Sequence, residues 1–521
     1  MLCGIRIIFM QHAIAKIFSA ELEGIGAQPI EVEVDINIGL ASFTIVGLAD
    51  KAVSEARERV SSAIKNSGAK PPTRENRKIV VNLAPADVKK NGSQYDLAIA
   101  LGYLAASNQM RPFDASGALF VGELGLSGDV RGVPGIFNIC QMASDEGFET
   151  VFIPYDNRHE AALARGITIL PIKRLREAID YLEGTIKITP NQTGDFEPEA
   201  AMTTIDISEI RGQETAKRAL LVAAAGGHNI FFSGPPGTGK TMLAQTLVSI
   251  LPPLSLEEAV EATRVHSAAG LLLGKRYVAS RPFRAPHHTA SLASVVGGGQ
   301  NPRPGEVSLA HRGVLFLDEL PEFHRDVLEA LRQPLEGGVV VVARAKRTLS
   351  FPSRCLLVAA SNPCPCGYYG DHEKECVCTA FEVARYQKKI SGPLLDRIDL
   401  HVWVDRIRAA DLKKDLDERE SDRLREAVIG ARARARERFA SAARPILSNA
   451  DMTSKDVERY VRRTPGAHAL AEKMLDAGKL SARGYFKLLK VAQTIADLEE
   501  APMVEERHVA EAFSYRSRVG A

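Results

Sequence analysis

The spacing of apolar residues predicts both strands and helices in the first third of the chain. Two stretches alternate apolar with polar side chains, as strands with one buried face do, and two others repeat their apolar positions at the period of a helix. The predicted strands, followed by the predicted helices, are residues 30–36, 78–83, 52–67 and 96–106. We therefore expect an α+β domain over residues 13–185, between a loosely ordered extension of residues 1–12 and a linker of residues 186–204.

The middle of the chain contains short runs that are apolar throughout and end in polar residues. Such runs are typical of buried strands in a parallel sheet. The three clearest runs are residues 229–233, 313–317 and 355–361. They predict an α/β domain over residues 205–403, whereas residues 404–521 lack a convincing strand pattern and are expected to be helical. Within that helical part, the arginine-rich stretch 421–443 predicts a long helix whose charges either face solvent or bind nucleic acid.

The composition limits the classes of function that the chain can have. It has 521 residues and a formal net charge of only +2, so binding to nucleic acid would require local basic patches. No apolar run reaches the length of a membrane span, and we expect a cytoplasmic protein without a membrane partner. Four of the seven cysteines fall within residues 364–378, which favours a metal site over a disulfide framework in so long a chain.

A complete phosphate-binding motif follows the first apolar run. Its residues are Gly234, Pro235, Pro236, Gly237, Thr238, Gly239, Lys240 and Thr241, which match G-x-x-x-x-G-K-[ST] in full. The glycines let backbone N–H groups point at phosphate oxygens, Lys240 supplies a positive charge, and Thr241 offers a hydroxyl to Mg²⁺. A strand before the loop and a helix after it complete the anion site, so we expect ATP and Mg²⁺ as cofactors.

Two carboxylates after the second apolar run supply the expected hydrolytic groups. We expect Asp318 to hold Mg²⁺ through water and Glu319 to deprotonate the attacking water, because the end of a parallel strand lies beside the phosphate loop. The alternative is that the two residues cap the following helix. Asn362, after the third run, is expected to position the water or contact the γ-phosphate, unless it only forms an Asn-Pro turn.

A further candidate catalytic residue is an arginine that lies among apolar residues. Arg397 follows Asp396 and precedes Asp399 in the segment 392–400. Phosphoryl transfer gains from a cation at the γ-phosphate, and a neighbouring subunit can supply that arginine. A structural salt bridge with an aspartate is the alternative role for Arg397.

The order of these motifs resembles that of AAA+ ATPases. Segments 281–291 and 297–311 resemble the magnesium-chelatase-type branch, and residues 13–515 as a whole resemble the ComM/YifB family of bacteria. The resemblance implies a P-loop core with a parallel sheet and a chelatase-type insert, followed by a C-terminal helical lid. It also implies a pre-sensor hairpin over residues 339–351 and a second sensor, Arg483, that reaches the nucleotide from the lid.

The N-terminal domain resembles the Lon protease domain, a ribosomal S5 domain 2-like fold, through residues 91–100 and 122–135. Lon-type proteolysis needs a serine nucleophile that is activated by a lysine. Gln94 occupies the nucleophile position and Phe137 the lysine position, and no suitable lysine accompanies the neighbouring Ser93. The resemblance therefore implies a non-proteolytic relative.

The cysteine-rich segment predicts a structural metal site. Cys364, Cys366, Cys376 and Cys378 form two close pairs that can supply four thiolates to a tetrahedral Zn²⁺. The C-x-C spacing is tighter than the usual zinc spacing, and four reduced cysteines in a turn are the alternative.

The family resemblance implies an ATPase that self-associates into a hexameric ring and moves along single-stranded and branched DNA. It implies a helicase that promotes branch migration during recombination in natural transformation. Basic loops at a ring pore would bind the phosphate backbone. The candidates are Arg344, Lys346 and Arg347 at the hairpin tip, and Arg281 and Arg284 in the insert. The alternatives are a metal-insertion ATPase like magnesium chelatase, which the Lon-like domain and cysteine pairs oppose, and a protein-remodelling ATPase, for which an aromatic pore residue would be expected.

Overall fold

The computed structural model describes most of the chain, which divides by its internal contacts into two units. The described residues are 14–72, 76–192, 194, 196–199, 205–299, 302–343, 348–412 and 417–516. The first unit ends at Glu197 and also includes Ala259–Val278, whereas the second contains Pro198–Glu258 and the chain from Ala279 onward. The described residues of the expected linker, 186–204, form neither helix nor strand.

The first unit is built on a mixed sheet of seven strands, with a separate ribbon of two short strands, β6 and β7. The strands are β1 (Ala15–Glu23), β2 (Gly26–Ile38), β3 (Ser42–Val46), β4 (Arg77–Ala84), β5 (Ala118–Phe120), β6 (Glu123–Leu124), β7 (Val130–Arg131), β8 (Thr150–Pro154) and β9 (Thr168–Ile172). The order in the sheet is β3-β4-β2-β1-β5-β8-β9. The strands predicted over residues 30–36 and 78–83 lie in β2 and β4, where apolar side chains alternate into the core.

Between residues 14 and 192, the described part of the first unit contains five α-helices. They are α1 (Lys51–Ser54), α2 (Ala56–Asn66), α3 (Asp96–Ala106), α4 (Ile136–Asp145) and α5 (Leu175–Leu182). Helix α3 has the predicted bounds, and its residues are buried from Asp96 to Leu104. The single helix predicted over residues 52–67 is instead two helices that meet at Glu55.

The second unit contains a parallel sheet of five strands and two separate two-stranded ribbons. The strands are β10 (Ile230–Ser233), β11 (Phe283–Arg284), β12 (Gly297–Gly298), β13 (Arg303–Pro304), β14 (Val314–Leu317), β15 (Val339–Ala343), β16 (Thr348–Pro352), β17 (Leu356–Ser361) and β18 (Leu400–Trp403). The sheet order is β11-β14-β17-β10-β18, and every neighbouring pair is parallel. Strands β14 and β17 are buried along their whole length, which explains their uninterrupted apolar runs.

The remaining helices follow in chain order. They are α6 (Glu214–Gly226), α7 (Lys240–Ile250), α8 (Leu256–Ala268), α9 (Leu292–Val295), α10 (Glu306–Leu309), α11 (Arg325–Ala330), α12 (Arg332–Gly337), α13 (Ala380–Gln387), α14 (Gly392–Leu395), α15 (Ala409–Leu412), α16 (Glu420–Phe439), α17 (Ser454–Tyr460), α18 (Pro465–Asp476), α19 (Ala482–Leu498) and α20 (Glu506–Ser514). One buried apolar cluster includes residues of the sheet and of α6, α7, α16 and α19. None of the helices in the described ranges has the length and apolar character needed to cross a membrane.

The segment Ala259–Val278, which the sequence analysis placed in the nucleotide domain, belongs by its contacts to the first unit. The backbone N–H of Gly135 donates to the carbonyl oxygen of Ser267 at 2.9 Å, and the side chain of Asn138 donates to the carbonyl oxygen of Arg264 at 2.9 Å. Helix periodicity could not reveal this, because it shows which face of α8 is buried but not which domain covers that face.

Helix α16 is the arginine-rich helix that was predicted over residues 421–443. Arg425 donates to the carbonyl oxygen of Ser249 at the end of α7, at 2.6 and 2.9 Å, and Arg432 donates to that of Ala224 near the end of α6, at 2.7 and 3.0 Å. Cations at helix C-termini satisfy carbonyl groups that the helix leaves without partners. Both alternatives were therefore wrong for these two residues, whose charges stabilise the fold.

Candidate active site

The phosphate loop connects β10 to α7, and two of its glycines adopt backbone angles that favour glycine. Gly237 has φ +78° and Gly239 has φ +86°. Gly234 is required for a different reason, because a Cβ atom there would lie 2.3 Å from the carbonyl oxygen of Val404. The loop therefore curls as the motif predicts, at the N-terminus of an eleven-residue helix.

Three adjacent strands bring the expected ATP-binding groups together at one edge of the sheet. The Lys240 amine donates to the carbonyl oxygens of Gly234 and Pro235, each at 2.8 Å, and to Asn362 Oδ1 at 3.2 Å. Thr241 Oγ1 donates to Asp318 Oδ2 at 2.7 Å. These contacts follow from the register, since β17 lies between β10 and β14 and all three strands end at the same edge.

The protonation of the Lys240 amine depends on the groups around it. Burial lowers the pKa of the Lys240 amine to about 8, although the carboxylate of Asp318 acts in the opposite direction. A bound phosphate would replace the carbonyl oxygens as the partner of this amine and favour its charged form. The oxygens of Thr241 and Asp318 also form a donor set that suits Mg²⁺, a cation that prefers oxygen ligands.

Glu319 lies next to this cluster but is oriented differently. Its φ is +50°, a left-handed conformation that is uncommon for glutamate, and its side chain is half exposed. Its carboxylate lies 3.6 Å from Nδ1 of His288, while its backbone N–H donates to Asp318 Oδ1 at 2.9 Å. The helix-capping alternative does not describe this residue, because its side chain makes no cap hydrogen bond to the following turn.

The two candidate arginines do not join the phosphate loop; both contact Glu336. Arg397 Nη2 lies 2.9 Å from Glu336 Oε1, and Arg483 forms an ion pair with the same oxygen. Arg397 also donates to the carbonyl oxygen of Pro393 at 2.6 Å. Arg397 lines a cavity of about 580 Å³ together with Glu336, Glu329, Arg332, Gln333 and Gly337. The salt-bridge partner of Arg397 is thus a glutamate of α12, and the two arginines form a separate cluster.

The candidate DNA-binding arginines of the insert have internal partners. The Arg281 side chain is only 7% exposed and donates to the carbonyl oxygens of Pro252 and Arg312 and to the carboxylate of Glu258. Arg284 makes a two-pronged ion pair with Glu306 at 2.6 and 2.7 Å. Arg281 therefore has a structural role in this arrangement. Strands β15 and β16 pair as the predicted hairpin, but its tip, with Arg344, Lys346 and Arg347, lies outside the described residues.

A second cavity beside the phosphate loop was missed by the sequence analysis. Its volume is about 560 Å³, and its lining includes Gln213, Trp403, Arg406 and Tyr515. The Gln213 side chain donates to the carbonyl oxygen of Asp405 at 2.6 Å, and Gln213 has φ +59°. This size is typical of a small-molecule site. The only available signal was a Gly-Gln pair just before a helix, which is too common to interpret without its surroundings.

The four predicted cysteine ligands meet in a cluster. Every pair of sulfur atoms lies within 4.8 Å. Cys364 Sγ lies 3.4 Å from Cys366 Sγ and 3.7 Å from Cys376 Sγ, and the sulfurs of Cys366 and Cys376 are 3.5 Å apart. Zn–S bonds of about 2.3 Å in a tetrahedron place sulfur atoms about 3.8 Å apart, so the observed spacing fits a tetrathiolate site.

In the first unit, the positions compared with a Lon catalytic pair have other roles. Gln94 Nε2 donates to Glu21 Oε2 at 2.9 Å, and Phe137 is wholly buried. Burial raises the pKa of Glu21 to about 7, against hydrogen bonds from Tyr95 and Asn91 that lower it. The hydroxyl of Ser93 donates to Glu123.

Three magnesium chelatase families match consecutive parts of the chain. Subunit ChlI of Mg-chelatase matches residues 32–157, magnesium chelatase subunit ChlI matches residues 206–412, and the C-terminal region of that subunit matches residues 418–516. The second and third matches cover the sheet with its phosphate loop and the helices α16 to α20.

Similar proteins match over nearly the whole chain. The chain is 41% identical over 514 residues to the competence protein ComM of Haemophilus influenzae, a match that covers 97% of this chain and 98% of that protein. It is also 41% identical over 497 residues to the uncharacterized protein YifB of Escherichia coli, with 95% of each chain covered. A magnesium-chelatase 38 kDa subunit of Acidiphilium rubrum is 27% identical over 338 residues, which cover 59% of this chain and 88% of that protein.

Proposed function

Because the chain belongs to the ComM/YifB family of magnesium-chelatase-like AAA+ ATPases, we propose that it is an ATP-driven motor that assembles into a ring and acts on DNA. Its reaction would be the unwinding and branch migration of single-stranded and branched DNA. The likeness to a protein named for competence supports a role in natural transformation. This activity has three steps, which are ATP hydrolysis, contact between subunits and DNA binding, and different residues support each of them.

The meeting of Lys240, Thr241, Asp318 and Asn362 at one sheet edge is the observation that carries the ATPase proposal. Lys240 neutralises the β- and γ-phosphates, and Asn362 holds the amine of Lys240 and the attacking water near the γ-phosphate. Thr241 and Asp318 would hold Mg²⁺, which supplies charge neutralisation between the phosphates. Glu319 turns from His288 to accept the proton of the water, a motion that its exposed position permits.

The cluster of Arg397, Arg483 and Glu336 supports hydrolysis between subunits. In this proposal the cavity beside Arg397 receives the phosphate groups that a neighbouring subunit holds in its phosphate loop. Phosphate oxygens would replace the Glu336 carboxylate as the partner of both arginines, and each active site would then be shared by two subunits. The second cavity, beside Gln213, would accept the base and sugar of ATP within one chain.

The DNA-binding step of the proposal depends on the hairpin of β15 and β16. Lys346 and Arg347 would bind phosphates rather than bases, because the tip has charge without aromatic side chains for base stacking. Such contacts release counterions and make binding depend on salt in proportion to the number of phosphates neutralised.

The test combines a three-strand branch-migration assay with a charge-removal variant. We expect Lys346→Ala/Arg347→Ala to bind single-stranded DNA more weakly whatever its sequence. The slope of log affinity against log salt should be shallower by about 1.4, since each single-strand phosphate contact contributes about 0.7. Basal ATPase activity should persist while unwinding falls.

The matched control removes two exposed positive charges elsewhere. Lys51→Ala/Arg174→Ala changes the net charge equally, at side chains that are 92% and 72% exposed in the first unit, and should leave the salt slope unchanged. If the hairpin variant kept its DNA affinity and salt slope, the DNA-motor proposal would be wrong. Stimulation of the ATPase by unfolded protein would then favour the protein-remodelling alternative.

A further inference from the structure

We propose that the four-cysteine cluster binds one Zn²⁺ ion and that this ion holds residues 364–378 against the phosphate loop, so that zinc and ATP each strengthen the binding of the other. The proposal rests on ATP binding at the phosphate loop, but it is independent of DNA binding. Its basis is that the cysteine segment contacts both the phosphate loop and the lining of the cavity beside Gln213.

The cluster has the hydrogen bonds of a thiolate metal site as well as its spacing. The backbone N–H of Tyr369 donates to Cys364 Sγ at 3.3 Å, and that of Cys366 donates to Cys378 Sγ at 3.4 Å. Backbone N–H groups that donate to the sulfur atoms in this way stabilise metal-bound thiolates. Four thiols can share this arrangement as neutral groups, but only a bound cation would hold all four as thiolates, and Zn²⁺ is the cation that prefers four thiolates in a tetrahedron.

One edge of the cysteine segment packs directly on the phosphate loop. Gly367 has φ +87°, and a Cβ atom at this position would lie 2.7 Å from Cδ of Pro236. The turn is closed by a hydrogen bond of 3.0 Å from the Gly367 N–H to the carbonyl oxygen of Cys364. Asn362, which accepts from Lys240, lies two residues before Cys364. Cys364, the first metal ligand, is therefore connected to the phosphate loop in two ways: along the backbone to Asn362, and by the packing of Gly367 against Pro236.

The opposite edge of the segment contacts the lining of the second cavity. A Cβ atom at Gly370 would lie 3.4 Å from the ring of Trp403, and the Asp371 carboxylate forms an ion pair with Arg406 at 2.9 Å. Trp403 and Arg406 both line the cavity beside the phosphate loop. The segment between the cysteine pairs therefore touches both regions that our proposal assigns to ATP.

Metal binding should act on ATP affinity because it removes alternative conformations of this segment. With zinc bound, two pairs of ligands ten or more residues apart are fixed, and Gly367 and Gly370 are held in contact with their partners. By linkage, whatever zinc does to ATP affinity, ATP must do to zinc affinity by the same factor.

The first test uses the unmodified full-length protein. Elemental analysis should find one zinc per chain in protein purified without added metal. In equilibrium competition with a chromophoric chelator, a non-hydrolysable ATP analogue should raise zinc affinity about fivefold or more, a typical size for coupling between sites. The same analogue should have no such effect on Lys240→Ala. Trp403, the only tryptophan, provides an independent fluorescence signal for both ligands.

Two variants separate metal binding from its transmission to the phosphate loop. Cys376→Ser/Cys378→Ser should lose zinc and bind ATP at least about fivefold more weakly. Val377→Ser is the matched control, since this side chain between the two ligands is 84% exposed. Gly367→Ala should retain zinc but bind ATP more weakly, whereas Gly478→Ala, with a similar φ of +67° and no neighbour within 4 Å, should bind both normally.

The outcomes distinguish the two proposals. Folded protein without zinc, or zinc removal that leaves the ATP dissociation constant unchanged, would overturn the coupling while leaving the ATPase proposal intact. Failure of the unmodified protein to bind ATP at all would overturn both. If the cysteine variant did not fold, the competition experiment on unmodified protein would still decide the question.

Discussion

The phosphate loop and the Arg397 cluster lie in the same unit, yet only the first has its functional groups already arranged around an anion site. There, Thr241 donates to Asp318 at the end of β14, and Lys240 donates to Asn362 at the end of β17. Arg397 and Arg483 instead share a carboxylate of their own chain, Glu336, beside a separate cavity. On our proposal, one chain would bind ATP with its own phosphate loop, whereas Arg397 and Arg483 would contact the nucleotide only after a phosphate group displaces Glu336.

The largest effect is expected from removing the arginine that we assign to the neighbouring active site. Arg397→Ala should lower kcat for ATP hydrolysis by about 10³–10⁵-fold, because the cation stabilises charge that develops in the transition state. ATP binding should persist, since the phosphate loop is unaltered. Steady-state hydrolysis and ATP-binding titrations on the same preparation measure the two effects.

Mixing experiments test whether Arg397 acts between subunits. Arg397→Ala chains combined with Lys240→Ala chains should regain part of the activity, because some interfaces then contain both intact residues. Arg423→Ala is the control, as it removes an arginine that is 69% exposed, pairs with Asp417 and lines neither cavity. A monomer with full activity would show that Arg397 is not required from a neighbouring subunit.

The next largest effect should come from the acid beside the phosphate loop. Glu319→Gln should reduce kcat by about 10²–10⁴-fold while ATP still binds, because this carboxylate acts on water and not on the phosphates. Lys240→Ala should instead abolish tight binding. Glu322→Gln, at an exposed acid paired with Lys389, is the control. Normal hydrolysis by Glu319→Gln would mean that another group is the base.

A smaller effect, on stability, should follow from separating the two arginine-bearing elements. Asp399, two residues after Arg397, forms a buried ion pair of 2.7 Å with Lys487, one turn after Arg483 in α19. Asp399→Asn would leave the Lys487 charge without its partner and should lower the free energy of unfolding by about 3–5 kcal/mol. Urea unfolding followed through Trp403 measures this, with the exposed Asp396→Asn as a control that should change little.

The same ion pair gives the stability of this region a defined pH dependence. Burial alone would raise the pKa of the Asp399 carboxyl, but Lys487 and His228 hold it below the ordinary value of 3.8. A depressed acid pKa contributes stability that is present above the ordinary value and is lost as the pH falls below it. Asp399→Asn should therefore remove part of the acid sensitivity, and a variant with unchanged acid unfolding would exclude this role.

Much of the phosphate side was predictable from sequence, because its residues end buried strands whose order follows a common sheet pattern. Motif spacing located Lys240, Asp318 and Asn362, and the register of adjacent strands then brings them together. The cysteine cluster was predictable for a similar reason, since its ligands are close in the chain. Glu336 was not, because an acidic residue at a helix end has no distinguishing pattern until Arg397 and Arg483 are seen beside it.

Partners that are distant in sequence were equally hidden. Two arginines of α16 satisfy carbonyl groups far away in the chain: Arg425 bonds to Ser249, 176 residues away, and Arg432 to Ala224, 208 residues away. Charge pattern gives the face of a helix but not what covers it. The interruption of the nucleotide domain by Ala259–Val278 escaped prediction for the same physical reason.

The smallest expected effect is a pH dependence of ATP binding that arises from Lys240 and not from Arg397. Burial lowers the pKa of Lys240 to about 8 before ATP binds, so the amine is increasingly neutral above this pH. ATP binding then requires the uptake of a proton, and the ATP dissociation constant should rise by up to about tenfold per pH unit above pH 8. Lys240→Arg should remove this dependence, because guanidinium stays charged, even if ATP binds more weakly. Arg397→Ala should retain it, because Arg397 pairs with Glu336 and not with Lys240. A pH-independent dissociation constant between pH 7 and about pH 10 would show that Lys240 keeps its proton without nucleotide, whereas loss of the dependence in Arg397→Ala would show that Arg397 controls the protonation of Lys240.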